Sequence, residues 1–465
     1  FKGNQAFDLY LKCLQLILRR QVWFLIHEKG LPAELENVVI DLWALRILQL
    51  EEQIADVHGY DSQSHVFSTS ENDPVSERET TKSKGRGSKL KSTPGLIDIL
   101  ALSYLGILTL RLPVTPGDIL SWIKTKKMPY DKAIKYIPIA MRDRLPSNYH
   151  AILDPNATLK PERLYSAVID LESIFEKEYG LVWPNINNHL LLFRYLKDLA
   201  LPLELYEATI RLAGYLNYDF TYPIDGHRRL GIRYLPEAQL AACLVVCVKL
   251  MYPLDGQRRN PKTISEPAAI GMNWDDWYEQ ISSTRQSGFG SASTYTTDDL
   301  VELREQDVFA MSGNQLDQYL DWYQDTFIDE TRTEQTEEGD FLNALYKLFP
   351  INPEPRSEPR NTPLENLADA EKLNLVRAIH GRIQHRQVIE EGKERPDTVR
   401  PGEMYIYYPK EKELPEQAKR FYGEVARISG LSLEMLIMAV FFAEKKIEKW
   451  EAIQRKKSKP DVLGI

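Results

Sequence analysis

Two stretches 170 positions apart constrain this chain more than any other feature. One runs Gly30-Leu31-Pro32-Ala33-Glu34-Leu35 and on through Ile40 and Leu42. The other runs Ala200-Leu201-Pro202-Leu203-Glu204-Leu205 and on through Ile210 and Leu212. Leu, Pro, Glu, Leu, Ile and Leu recur in register. Pro near a helix start costs nothing, because the first N–H groups lack intrahelical partners. Glu34 and Glu204 then fall in a first turn, where the helix dipole favours negative charge. Leu35, Val38, Val39 and Leu42, and Leu205, Ala208 and Leu212, recur at helical spacing. A fixed internal offset of this kind is the mark of a duplicated unit, here an all-helical one.

The 465 residues leave room for two to four domains. A net charge of −9 argues against an all-over basic nucleic-acid binder, so any such contact must come from local patches. The three cysteines, Cys13, Cys243 and Cys247, are too few for a disulfide framework. Cys243 and Cys247 sit four apart in an apolar helical run and read as small core residues. The apolar run Leu9 to Ile26 is interrupted by Lys12, Arg19 and Arg20, and so is not a membrane span.

The first unit is expected to hold five helices, at 5–28, 33–55, 96–110, 116–125 and 130–143, the last broken at Pro138. Small residues Ala101, Ser103 and Gly106 on the third allow a neighbouring helix to come close. Thr115, Pro116 and Asp118 together cap the fourth. The second unit is expected to place helices at 160–179, 187–199, 202–217 and 235–251, with a short helix from Trp274 and another at 314–328. Tail helices are expected at 364–391, 414–428 and 431–457, and Met404 to Tyr408 alternates as a short strand would. The domain reading is therefore 1–145 with a polar, disordered insertion at 57–92, then 146–330 with an irregular stretch at 253–313, a linker at 331–363, and a helical region at 364–465.

No catalytic constellation stands out: the sequence has no Walker loop, dinucleotide fingerprint, His-Glu-x-x-His or Gly-x-Ser-x-Gly. Asp275 and Asp276 are neighbours on a helix and point about 100° apart, so they do not converge. Binding is the better class of function. Arg228, Arg229 and Arg233 lie within six positions ahead of a helix, as phosphate ligands would, or as members of surface ion pairs. Lys124, Lys126 and Lys127 form a second basic cluster. Arg258, Arg259 and Lys262 form a third, past the far end of the helix that follows the three arginines.

These residues resemble the paired cyclin folds of TFIIB. Ala200-Leu201-Pro202 through Leu216 is similar to the second helix of that family's second repeat. Leu235-Pro236-Glu237-Ala238-Gln239-Leu240-Ala241-Ala242 is similar to its third. Asp98 through Ile119, with Pro113-Val114-Thr115, is similar to the third and fourth helices of the first repeat. The block Ala6 to Arg19 and Asp41-Leu42-Trp43-Ala44-Leu45-Arg46 looks like the fungal TFIIB-related subunit of the RNA polymerase I core factor. The resemblance covers 1–56, 94–127 and 187–252.

The resemblance implies an all-α chain of two tandem five-helix cyclin-like folds followed by a C-terminal helical region. It implies a transcription initiation factor, not an enzyme, that binds upstream ribosomal-DNA promoter as duplex DNA and recruits RNA polymerase I in the nucleus and nucleolus. Implied partners are two other core-factor subunits and TATA-binding protein. No cofactor is expected of this chain. The family's zinc belongs to a ribbon ahead of the first cyclin fold, and no ligand set for one can be assigned here. The rival readings are a TFIIB-type factor for another polymerase, a cyclin that regulates a protein kinase, and a helical scaffold that never touches DNA.

Overall fold

The computed structural model describes residues 4–58, 93–155, 159–222, 231–257, 259–287, 295, 300, 303, 311–327, 364–392 and 398–457. Over these the chain is all-α. The helices in order are α1 (Asn4–Trp23), α2 (Glu34–His58), α3 (Leu96–Thr109), α4 (Pro116–Lys124), α5 (Ile139–Arg142), α6 (Ser147–Leu153), α7 (Pro161–Tyr179), α8 (Asn188–Asp198), α9 (Glu204–Tyr215), α10 (Pro236–Met251), α11 (Trp274–Ser287), α12 (Gly313–Phe327), α13 (Leu364–His380), α14 (Glu416–Ser429) and α15 (Leu433–Lys457). Both Leu-Pro stretches open helices as expected, α2 and α9. Two strands of two residues pair antiparallel, with Ile270 opposite His385 and Gly271 opposite Gln384. The stretch from Met404 to Tyr408 forms no ladder. Met404 has a left-handed φ of 52°, and Tyr405 and Tyr408 instead set their rings against the Lys249 ammonium. The 57–92 insertion from residue 59 on, and the whole 331–363 linker, lie outside the described residues.

The chain forms two compact units that do not follow chain order. One comprises Phe1–Leu112 and Lys126–Pro184; the other comprises Pro113–Thr125 and Asn185–Ile465. The first unit is built round α3, buried from Ile99 to Leu108. The face of α1 carrying Tyr10, Cys13, Leu14, Ile17 and Leu18 is buried. The Tyr10 hydroxyl donates to the Pro94 carbonyl at 2.8 Å and so fixes the approach to α3. Gly106 lets α2 come close: a Cβ there would stand 2.6 Å from Val39 Cγ2. The long helix α7 lies along α3, and its Tyr179 hydroxyl donates to the Leu45 carbonyl at 2.7 Å. The expected helix at 130–143 is instead a 3-10 turn, Ala133–Tyr136, and the single turn α5, with Pro138 capping α5 and ending any continuous ladder.

The second unit is built round α10, whose residues from Pro236 to Lys249 are all buried except Gln239. It packs against α9, α14 and α15. Cys243 and Cys247 are buried there, and burial pushes the Cys247 thiol up to about 12, so it is a protonated core side chain at neutral pH. Trp274 and Trp277 of α11 pack on Phe421 of α14, and the Trp277 indole donates to the Leu199 carbonyl at 2.7 Å. Helix α4 belongs to this unit and packs on α14. The cap expected at its start is present: the Thr115 amide donates to Asp118 Oδ2 at 2.8 Å, and the Asp118 amide donates back to the Thr115 hydroxyl oxygen. The Thr115 hydroxyl donates to the Ile428 carbonyl at 2.7 Å, which ties the cap to the end of α14. No single helix among the described residues is long and apolar enough to cross a membrane.

Candidate nucleic-acid interface

A phosphate contact needs an exposed cation held in place, so the fate of each basic cluster depends on where its charges point. Arg233 lies in a 3-10 turn, Ile232–Tyr234, immediately ahead of α10. Pro236 begins that helix, and the Gln239 side-chain Nε2 donates back to the Arg233 carbonyl at 3.0 Å, closing the turn. The Arg233 side chain is exposed. Its guanidinium carbon stands 4.8 Å from the Tyr234 ring centre and 6.0 Å from that of Phe442 on α15. Arg228 and Arg229 lie outside the described residues, as does Arg258.

Lys124 is exposed in the last turn of α4, where a cation also suits the helix dipole. It belongs to the second unit, whereas Lys126 and Lys127 belong to the first. Lys126 takes a left-handed φ of 58° and pairs with Asp131, while Lys127 is exposed. Lys262 is exposed with its ammonium 2.9 Å from Glu391.

Arg259 is different. It is 4% exposed. Two of its nitrogens donate to the Asp255 carboxylate at 2.9 and 2.7 Å, and Nε donates to the Glu403 carbonyl at 3.1 Å. Burial works to raise the Asp255 carboxyl, but the Arg259 hydrogen bonds and charge together with backbone N–H donors, Gln257 among them, hold that carboxyl below its usual range. The expected DNA contact at Arg259 therefore fails on geometry: its donors face the chain's own acceptors and it acts as a brace.

The sequence marked the helix at 431–457 that becomes α15 but none of its residues as part of a site. Phe442, Lys446, Lys449, Trp450 and Ile453 fall at helical spacing on one side of it. The Lys446 ammonium lies 4.0 Å over the Tyr218 ring, and the Trp450 ring centre is 5.0 Å from that of Tyr215. The spacing alone could have marked this face, but its proximity to Arg233 depends on a partner more than 200 positions away. Among the described residues no group of three or more His, Cys, Asp or Glu could hold a metal ion.

Comparison with known proteins agrees with this architecture. The N-terminal cyclin domain of Rrn7/TAF1B matches residues 14–139, and the C-terminal cyclin domain of Rrn7/TAF1B matches residues 157–327. The RNA polymerase I-specific transcription initiation factor rrn7 of Schizosaccharomyces pombe is 26% identical over 95% of this chain and 84% of its own length. Its Saccharomyces cerevisiae counterpart RRN7 is 23% identical over 76% of this chain and 63% of its own length. A chain of the S. cerevisiae core factor crystal structure superposes with a TM-score of 0.51 over 98% of both chains at 18% identity, a likeness of fold. Two cyclin domains of one family thus match in tandem, in order and over more than half of the residues, and the chain belongs to the Rrn7/TAF1B family.

Proposed function

We propose that this chain is an RNA polymerase I transcription initiation factor, the TFIIB-like subunit of a core factor, and works by binding and bridging, with no catalysis and no cofactor of its own. The observation that carries the reading is the tandem of matched cyclin domains on an all-α chain. In this reading the chain joins two other core-factor subunits and TATA-binding protein on duplex promoter DNA. Other faces dock the polymerase, and the work is done in the nucleus, within the nucleolus. DNA is held largely through phosphates, with Arg233, Arg228 and Arg229 as the leading contacts and Lys124, Lys126, Lys127, Arg258 and Lys262 as subsidiary ones.

Capture of the tagged chain from an extract of its own source tests this. Subunits specific to polymerase I are expected to come down with it. Recovery of polymerase II or III in their place would overturn the assignment to polymerase I. Recovery of a protein kinase that the chain activates would favour the cyclin rival.

A further inference from the structure

Helix α15 lies beyond both cyclin-domain matches, yet it completes the surroundings of Arg233. On the side facing α9 and the Arg233 turn it carries Lys446 and Lys449, three apart and so roughly 5–6 Å apart at Cβ. That is close enough for each to meet its own phosphate along a strand. The nearby carboxylates of α15 are already engaged: Glu448 with Lys445 at 3.0 Å and with Tyr407, and Glu451 with Arg455 at 3.2 Å. From the neighbouring elements, Asp219 is the acid that acts on Lys446. The cations also have seats. Lys446 rests on Tyr218, and Arg233 sits beside Tyr234 and Phe442. A cation held over a ring keeps its charge and loses less side-chain freedom on binding.

We propose that Arg233, Lys446 and Lys449 form one phosphate-binding surface for duplex DNA, so that the C-terminal helix contributes directly to the grip. The proposal rests on the reading of the chain as a promoter-binding factor. The occupant is duplex DNA because the surface presents a row of cations to a continuous phosphate backbone, that of the promoter duplex on which the proposed function places the chain. Tyr218 lies under Lys446, Tyr234 and Phe442 lie beside Arg233, and Tyr215 lies against Trp450.

The test is fluorescence anisotropy of the full chain on a fluorescent ribosomal-promoter duplex across roughly 50 to 200 mM salt. Each phosphate contact steepens the plot of log affinity against log salt by about 0.9. Lys446→Gln with Lys449→Gln is expected to flatten it by about 1.8, and Arg233→Gln by about 0.9. A double variant with the wild-type slope beside a flattened Arg233→Gln would overturn this surface and leave the promoter-binding reading standing. A wild-type chain with no salt-dependent DNA binding would sink both. Tighter binding of the single strand than of the duplex would overturn the duplex assignment. A charge-keeping Lys446→Arg, Lys449→Arg variant is expected to retain the wild-type slope. If it flattens like the glutamine pair, the effect comes from structure and the proposal fails.

Discussion

Gly117→Ala lowers the stability of the second unit by about 3 kcal/mol, at the upper end of what overpacking usually costs. The reason is that the added Cβ meets backbone, which cannot swing aside. It would stand 2.6 Å from the Arg427 carbonyl oxygen and the Gly430 amide nitrogen, and 2.7 Å from the Ile428 carbonyl oxygen. Gly430 mirrors the constraint, with a φ of +74° and space for a Cβ only 2.2 Å from the Gly117 amide. Thr115 bonded to Ile428 and Arg194 bonded to Asp118 and to the Pro113 carbonyl hold α4 in this seat, so the helix cannot slide to relieve the clash. Chemical unfolding of the variant provides the check. Gly256→Ala is the control, because Gly256 has a similar φ of +70° with nothing within 4 Å of its Cβ position. It should lose roughly 1–2 kcal/mol, the left-handed penalty alone. Equal losses in the two variants would show that the α4 seat is soft.

The second large effect is at the Lys249–Glu444 pair, which ties α10 to α15. Their side chains are 6% and 1% exposed. The Lys249 ammonium also donates to the Ile406 carbonyl at 2.9 Å and lies 4.3 Å from the Tyr405 ring centre, and the Tyr405 hydroxyl donates to Glu444 at 2.6 Å. Lys249→Met strands the glutamate and is expected to cost about 3–5 kcal/mol, as removing one partner of a buried pair does. Replacing both by Met is expected to recover most of that loss.

The reverse single variant, Glu444→Met, has a pH signature. Burial already lowers the Lys249 pKa, against the pull of Glu444. Without that pull the folded pKa falls further below the ordinary 10.5 of the unfolded chain. Between the two values the unfolded state holds more protons, so stability rises with pH across that window. Below the folded pKa both states are protonated and the slope vanishes. Unfolding midpoints of Glu444→Met measured at neutral pH and about two units higher should therefore differ from the wild-type trend in that direction. A variant that loses stability over the same interval would contradict the assignment of Lys249 as the buried cation.

Much of the fold was legible because helix ends are written locally. Thr115, Pro116 and Asp118 marked the start of α4 within a residue, and Pro236 marked that of α10. Gly106 was legible as a close-approach position because a small residue recurs on an otherwise large apolar face. That α4 packs in the second unit was not legible, since the seat depends on Gly430, more than 300 positions on, and on its left-handed turn. The site divides the same way. Arg233 reads as an exposed cation from its place ahead of a helix. The inward turn of Arg259 was foreshadowed by Asp255 four positions earlier, an ion-pair spacing that a count of basic residues passes over. Lys446 and Lys449 gave no sign of belonging with Arg233, because charge on a long helix is ordinary until its neighbours are known.

The most direct measurement of the central claim is promoter-specific transcription. An extract of the source cells depleted through this chain is supplied with a ribosomal-DNA promoter template. Initiation by polymerase I is expected to fall to background and to return when the complex purified through the chain is added back. The same complex assembled without the chain should leave it at background. Templates for polymerases II and III should initiate as before. Undiminished ribosomal transcription after depletion, or a loss confined to a polymerase II or III template, would contradict the account.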